Sequence, residues 1–121
     1  MIRSYKDLTV WQKAMDLVVE IYYIVKLLPR EETYGLSDQM RRAAVSIPSN
    51  IAEGQSRNTK KDFINFLYIA RSSKAELQTQ CLICIRLHYV ANKDMAKALA
   101  LSDEIGKMIN AMILSLTKTN H

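Results

Sequence analysis

Apolar residues recur at spacings of three and four along most of the chain, which is the pattern of helices that bury one face. Four segments carry this pattern, and they predict helices over about 7–28, 37–55, 59–89 and 93–117. The connections between them are short. Four helices in sequence with short connections predict an all-α fold, an up-down-up-down antiparallel four-helix bundle in a single domain spanning residues 1–121.

The first segment has a wider apolar sector than one helix of a bundle needs. Its principal predicted face consists of Trp11, Ala14, Met15, Val18, Ile21, Tyr22, Val25 and Leu28. A second stripe beside it repeats every seven residues, at Val10, Leu17 and Ile24. Residues 81–85 of the third segment are apolar on all sides. Both features predict contact with a second subunit, because such surfaces have to be covered on more than one side.

A proline interrupts the second predicted helix. Pro48 removes one helical hydrogen bond and clashes with the carbonyl four residues earlier, so the segment predicts a helix 2 that is kinked at this position. The residues singled out with it as a motif are Ser46, Ser49, Asn50, Glu53 and Gly54. Two interpretations stay open: a structural polar cluster that satisfies the freed backbone groups, or a loop that binds a ligand directly.

Several polar residues are expected to mark the helix ends. Ser37, Thr59 and Asn92 are candidate N-caps of helices 2, 3 and 4, because their side-chain oxygens can accept from backbone N–H groups. The charged connection over 29–35 predicts a solvated loop.

Lys and Arg exceed Asp and Glu by 17 to 12, and the sequence pI is 9.3. The excess is concentrated in residues 59–90, which hold five basic and two acidic residues. Arginine and lysine spread along a surface can contact phosphates, so the chain predicts binding to nucleic acid. The candidate residues are Arg41, Arg42, Arg57, Lys60, Lys61, Arg71 and Lys74. The alternative is a solvated face with ion pairs such as Glu53 with Arg57.

The sequence contains no Gly-rich phosphate loop, nucleophile elbow or helical His-Glu-x-x-His motif. We therefore expect no enzymatic activity and no cofactor. Cys81, Cys84 and His88 would share one helical face, but that face is also the predicted core, and a fourth metal ligand is missing. These residues predict buried free thiols and no metal site.

No apolar run reaches the roughly 20 residues that span a bilayer, and the start of the chain lacks the pattern of a signal peptide. We expect a cytoplasmic protein without a membrane partner.

Residues 36–54 end in the string Ser-Ile-Pro-Ser-Asn-Ile-Ala-Glu-Gly, and this stretch resembles the four-helix-bundle proteins encoded within intervening sequences of bacterial 23S ribosomal RNA genes. The resemblance continues through residues 63–70 and 74–80, and residues 8–17 look like the opening helix of that family. It implies a four-helix bundle that assembles as a homopentameric barrel. The family motif carries no catalytic residues.

A related branch of this family contains the accessory proteins of diversity-generating retroelements, which resemble pentamers that bind nucleic acid and a reverse transcriptase. Two hypotheses follow for function. The first is a non-enzymatic homo-oligomer that binds structured RNA or DNA through its basic surfaces. The second is a protein-interaction scaffold whose ring recruits a partner enzyme such as a reverse transcriptase.

Overall fold

The computed structural model describes residues 4–118 and contains four α-helices. They are α1 (Thr9–Ile24), α2 (Leu36–Gln55), α3 (Lys60–Arg86) and α4 (Asn92–Lys118). Short 3-10 turns lie at Tyr5–Asp7, Val25–Leu27 and Arg30–Glu32. No strand occurs within residues 4–118. The two ends of the predicted domain, 1–3 and 119–121, lie outside the described residues.

Each helix packs against the next one in the chain, and α4 packs back against α1. The α2–α3 pair is the most extensive, and it is antiparallel: Met40 near the start of α2 contacts Cys84 near the end of α3. The predicted four-helix bundle is confirmed. Its largest fully buried side chains come from all four helices: Val10, Leu17, Ile21, Met40, Ile47, Ile51, Leu67, Leu77, Cys81, Met95, Ile105 and Ile109.

Helix α1 is rotated relative to the expected orientation. The core face combines the predicted second stripe, Val10, Leu17 and Ile24, with Ala14, Ile21, Val25 and Leu28 of the predicted principal face. The second stripe therefore packs inside the single chain, and Met15 and Tyr22 of the principal face are exposed. The α-helix ends at Ile24 and is continued by the 3-10 turn Val25–Leu27. Leu28 precedes a proline and takes an extended conformation (φ −76°, ψ 151°), which ends the helical segment at the predicted place.

The caps differ in part from the expected ones. Thr59 caps α3, since its hydroxyl accepts from the Asp62 N–H at 3.1 Å, as predicted. Ser37 is buried inside α2 and does not cap it. Asn92 is the first residue of α4, and the carboxylate of Asp94 accepts instead from the Ala91 N–H at 2.9 Å. In both corrected cases the helix begins one residue earlier than expected.

Helix α3 ends at Arg86, three residues before the predicted end. His88 adopts φ 62°, the left-handed conformation that terminates helices. The His88 N–H then donates to the Ile85 carbonyl and the Tyr89 N–H to the Cys84 carbonyl, both at 3.0 Å. This pair of bonds is the Schellman arrangement, with histidine in the place usually held by glycine.

Glu32 joins the two loops at one end of the bundle. One carboxylate oxygen accepts from the Leu36 N–H at 3.0 Å at the start of α2, and the other accepts from the Tyr89 hydroxyl at 2.9 Å. Glu32 is half-buried and makes these two contacts, while Glu31, Thr33 and Tyr34 beside it are exposed. The Leu36 N–H and then the Tyr89 hydroxyl lower the pKa of Glu32, and the same bond to Glu32 raises the pKa of Tyr89.

The Glu32–Tyr89 bond predicts that the free energy of unfolding decreases at both ends of the pH range, in an acid limb from Glu32 and an alkaline limb from Tyr89. A lowered carboxyl pKa gives stability that is present above the ordinary carboxyl range and is lost as pH falls through the native pKa. A raised tyrosine pKa gives stability that is present below about pH 10 and is lost as pH rises through the native pKa. We expect Glu32→Gln to flatten both limbs and Tyr89→Phe to abolish the alkaline one, measured as urea midpoints across pH. Wild-type profiles in both variants would contradict this.

Pro48 lies inside α2 without ending it, and its side chain is buried. The Asn50 amide donates to the Ser46 carbonyl at 2.7 Å and to the Ser46 hydroxyl at 2.9 Å. The Ser46 hydroxyl also lies 2.8 Å from that of Ser73 on α3. Ser49 is exposed and stands outside this network. These contacts fit the structural interpretation of the motif, while the kink itself stays a prediction.

Candidate nucleic-acid interface

The seven basic candidates do not form one patch. Arg41 and Arg42 lie in the first half of α2, and Arg57, Lys60 and Lys61 lie at the turn into α3. Residue 42 and the end of α2 at residue 55 are about 20 Å apart along the helix axis, at 1.5 Å per residue. Arg71 and Lys74 follow further along α3. The fold thus divides the candidates among three places.

The arginines of α2 already have partners. The Arg41 guanidinium lies 6.0 Å from the centre of the Tyr22 ring and makes a long contact of 3.5 Å to the Thr33 carbonyl. The Arg42 Nε pairs with Asp38 at 3.2 Å on the exposed side of α2. The carboxylate of Asp38 therefore neutralises the positive charge of Arg42.

The turn between α2 and α3 concentrates positive charge at a helix N-terminus. Lys60 and Lys61 are exposed in the first turn of α3, where the helix dipole is itself positive. Arg57 lies over the Phe66 ring at 4.8 Å and pairs with Glu53 at 3.5 Å. This Glu53–Arg57 pair is the one expected from the alternative of a solvated face.

Arg71 and Lys74 lie at the boundary between α3 and α4. Arg71 donates to the Asn110 side-chain oxygen at 3.0 Å, and its guanidinium lies 4.8 Å from the centre of the Tyr68 ring. The half-buried Lys74 donates to Gln78 at 3.1 Å and lies across Gly106 of α4. Lys74 therefore contributes to helix packing, whereas Arg71 is exposed and held in place.

Residues 57–74 contain five Lys or Arg and a single acidic residue, Asp62. Tyr68 lies among them with an exposed ring and is not one of the candidates predicted from the sequence. The signal was present in the spacing, since Tyr68 is seven residues after Lys61 and three before Arg71. We call the exposed surface of α3 that carries Lys60, Lys61 and Arg71 the basic face.

The two cysteines are core residues. Burial is the main cause that raises the pKa of Cys81 to about 12 and that of Cys84 to about 11. The Cys84 thiol donates to the sulfur of Met40 at 3.5 Å. His88 does not share their face as predicted, because the helix has ended before it and its side chain is exposed. No group of metal-ligating residues is found within residues 4–118.

Within residues 4–118, groups of exposed apolar side chains lie on α1 and at the end of α3. The first, which we call the α1 face, is formed by Met15, Val19, Tyr22 and Tyr23, which are 41–62% exposed. It adjoins a groove of about 310 Å³ between α1 and α2 that is lined by Trp11 and Pro48 among others. The second surface, the α3 collar, consists of Leu82, Ile83 and Leu87. Of residues 81–85, which were predicted to be apolar on all sides, Leu82 and Ile83 are exposed in the single chain. Within residues 4–118, no helix has the length and apolar character needed to cross a membrane.

Three comparisons with known proteins bear on the family and the fold of this chain. No curated protein matches the chain. A crystal structure from Bacteroides thetaiotaomicron, of a protein with unknown function from the S23 ribosomal protein family, is similar at 28% identity with a TM-score of 0.81. The similarity covers 87% of this chain and 98% of that one. The family model for 23S rRNA-intervening sequence proteins matches residues 6–111. The chain belongs to the 23S rRNA-intervening sequence protein family.

Proposed function

We propose that this protein is a non-enzymatic, homo-oligomeric helical bundle that binds structured RNA or DNA through its basic face. The observation that carries the proposal is the charge of residues 57–74, where five cations accompany one acid. Lys60 and Lys61 add their charges to the positive end of α3. Phosphates are the ligands that such a surface attracts, and nucleic acid presents them in a regular row. The expected location is the cytoplasm.

Assembly would multiply the basic face. The α1 face and the α3 collar belong to different helices, so one copy can place its α1 face against the collar of the next copy. Contacts between unlike surfaces of this kind close into a ring when the rotation permits. The resemblance to the family favours a pentamer. Five copies would then present five basic faces around one axis.

A filter-binding titration of a structured RNA tests the proposal. At about 50 mM salt we expect binding that weakens steeply toward about 200 mM, because each phosphate contact releases a counterion that was condensed on the nucleic acid. Lys60→Ala/Lys61→Ala should weaken binding on the order of tenfold. It should also reduce, by about two, the slope of the logarithm of the binding constant against the logarithm of the salt concentration.

The matched control for this titration is Arg41→Ala/Arg42→Ala. It removes the same charge from α2, where Tyr22 and Asp38 already engage the two arginines. We expect a smaller loss of affinity there. No binding of the wild-type protein to RNA or DNA at low salt would refute the proposal.

The exposed apolar surfaces favour a second candidate function. A ring that left the α3 collar open could recruit a partner enzyme, such as a reverse transcriptase, with nucleic acid incidental. Leu87 of this collar is half exposed beside the loop that ends α3. Stoichiometric co-purification of such an enzyme, lost in Leu82→Lys/Leu87→Lys, would favour the scaffold over the nucleic-acid binder.

A further inference from the structure

The outward side of α3 has a regular composition. Its positions recur at alternating spacings of four and three residues, and all of them are exposed: Lys61, Asn65, Tyr68, Ser72, Ala75, Thr79, Leu82 and Arg86. No acidic side chain occurs in this stripe. Glu76 and Asp62 of α3 lie beside it. A polyanion can therefore lie along the first half of α3 without facing a carboxylate on the stripe itself.

Tyr68 is the one aromatic residue of this stripe, and no core contact explains it. It is 43% exposed at the centre of a helix whose buried side is formed by other residues, including Leu67 and Ala70. The Arg71 guanidinium lies over its ring at 4.8 Å. Asn110 of α4 holds that guanidinium through a bond of 3.0 Å. The aromatic ring and the cation are therefore positioned together before any ligand arrives.

We propose that the face of the Tyr68 ring turned away from Arg71 stacks on an unpaired base of the bound nucleic acid, with Arg71 and Lys61 on phosphates of the same strand. This inference rests on the proposed function and adds the class of ligand, a loop, bulge or single-stranded segment. Bases inside a duplex are stacked on each other and offer no free face to a tyrosine, whereas unpaired bases stack readily on exposed aromatic rings. Lys61 lies on the same stripe as Tyr68, about 10 Å away along α3.

Fluorescence polarisation with two labelled RNAs tests the inference. One is a hairpin with an unpaired loop, and the other is a blunt duplex with the same number of phosphates. The wild-type protein should bind the hairpin more tightly. Tyr68→Ala should weaken hairpin binding roughly tenfold and leave duplex binding unchanged, while Tyr68→Phe should keep the wild-type preference.

The outcomes separate this inference from the function on which it rests. Lys60→Ala/Lys61→Ala should weaken both RNAs, since it removes phosphate contacts common to them. Equal wild-type affinity for the two RNAs, or an equal loss on both in Tyr68→Ala, would overturn the stacking role while leaving nucleic-acid binding in place. Binding to neither RNA would refute the proposed function itself. A changed oligomeric state in Tyr68→Ala would assign the ring to a subunit contact and overturn the inference.

Discussion

Gly54→Ala is expected to destabilise the bundle by about 2 kcal/mol, in the range found for overpacked cores. A methyl group on residue 54 would lie 2.8 Å from the Phe66 Cβ, 2.9 Å from the Phe63 ring and 3.3 Å from the Phe63 carbonyl oxygen. The Cβ and the carbonyl are fixed to the backbone of α3, so the two helices would have to separate. The substitution has this cost even though alanine favours a helix by about 1 kcal/mol over glycine.

Gly106→Ala is the matched control for this prediction. There the new methyl group would meet the Cε and Nζ of Lys74 at 2.9 Å, which are the end of a flexible side chain. Lys74 can move aside, so we expect a neutral or stabilising effect of up to about 1 kcal/mol from helix propensity. Urea midpoints measured side by side decide the matter. Equal effects at the two glycines would show that the close approach of α2 and α3 does not require a glycine at position 54.

Val19→Lys should convert the proposed ring to single chains. The Val19 side chain is 53% exposed on the α1 face, which the proposed ring would cover. A lysine placed there would have to lose its hydration when the subunits meet, and a buried unpaired charge costs several kcal/mol. Light scattering on the eluted protein measures the mass directly.

Leu114→Lys makes the same change elsewhere. Leu114 is 56% exposed on α4, outside both the α1 face and the α3 collar. We expect this variant to keep the wild-type mass, and both variants to keep the helical content by circular dichroism. A wild-type protein that already elutes as a single chain would remove the ring from the proposed function. An oligomeric Val19→Lys variant would move the interface away from α1.

The periodic pattern of apolar residues was sufficient to predict the number, order and approximate limits of the helices. It was not sufficient to orient α1. Both of its stripes are apolar, and the core face takes Val10, Leu17 and Ile24 from one and Ala14 and Ile21 from the other, as the packing of α2 and α4 requires. Local patterns fix that a helix has a buried face, whereas tertiary packing selects which face it is.

Contacts between distant parts of the chain were the other features that the sequence did not reveal. The Glu32–Tyr89 bond joins residues 57 positions apart, and its formation depends on both loops meeting at one end of the bundle. The spacing of Tyr68 from Lys61 and Arg71 is a weak signal, because most exposed residues of a helix have neighbours at such spacings. The significance of Tyr68 comes from Arg71 and Asn110, and the latter belongs to another helix.

The buried thiols of Cys81 and Cys84 give the protein an internal probe of its own opening. A thiol must be exposed and deprotonated before an alkylating reagent can modify it, and burial opposes both conditions here. The native protein should therefore resist labelling, and the rate of labelling should follow the fraction of molecules in which α3 has separated from α2. Subunit assembly and bound nucleic acid would each slow that rate to the extent that they stabilise the closed bundle.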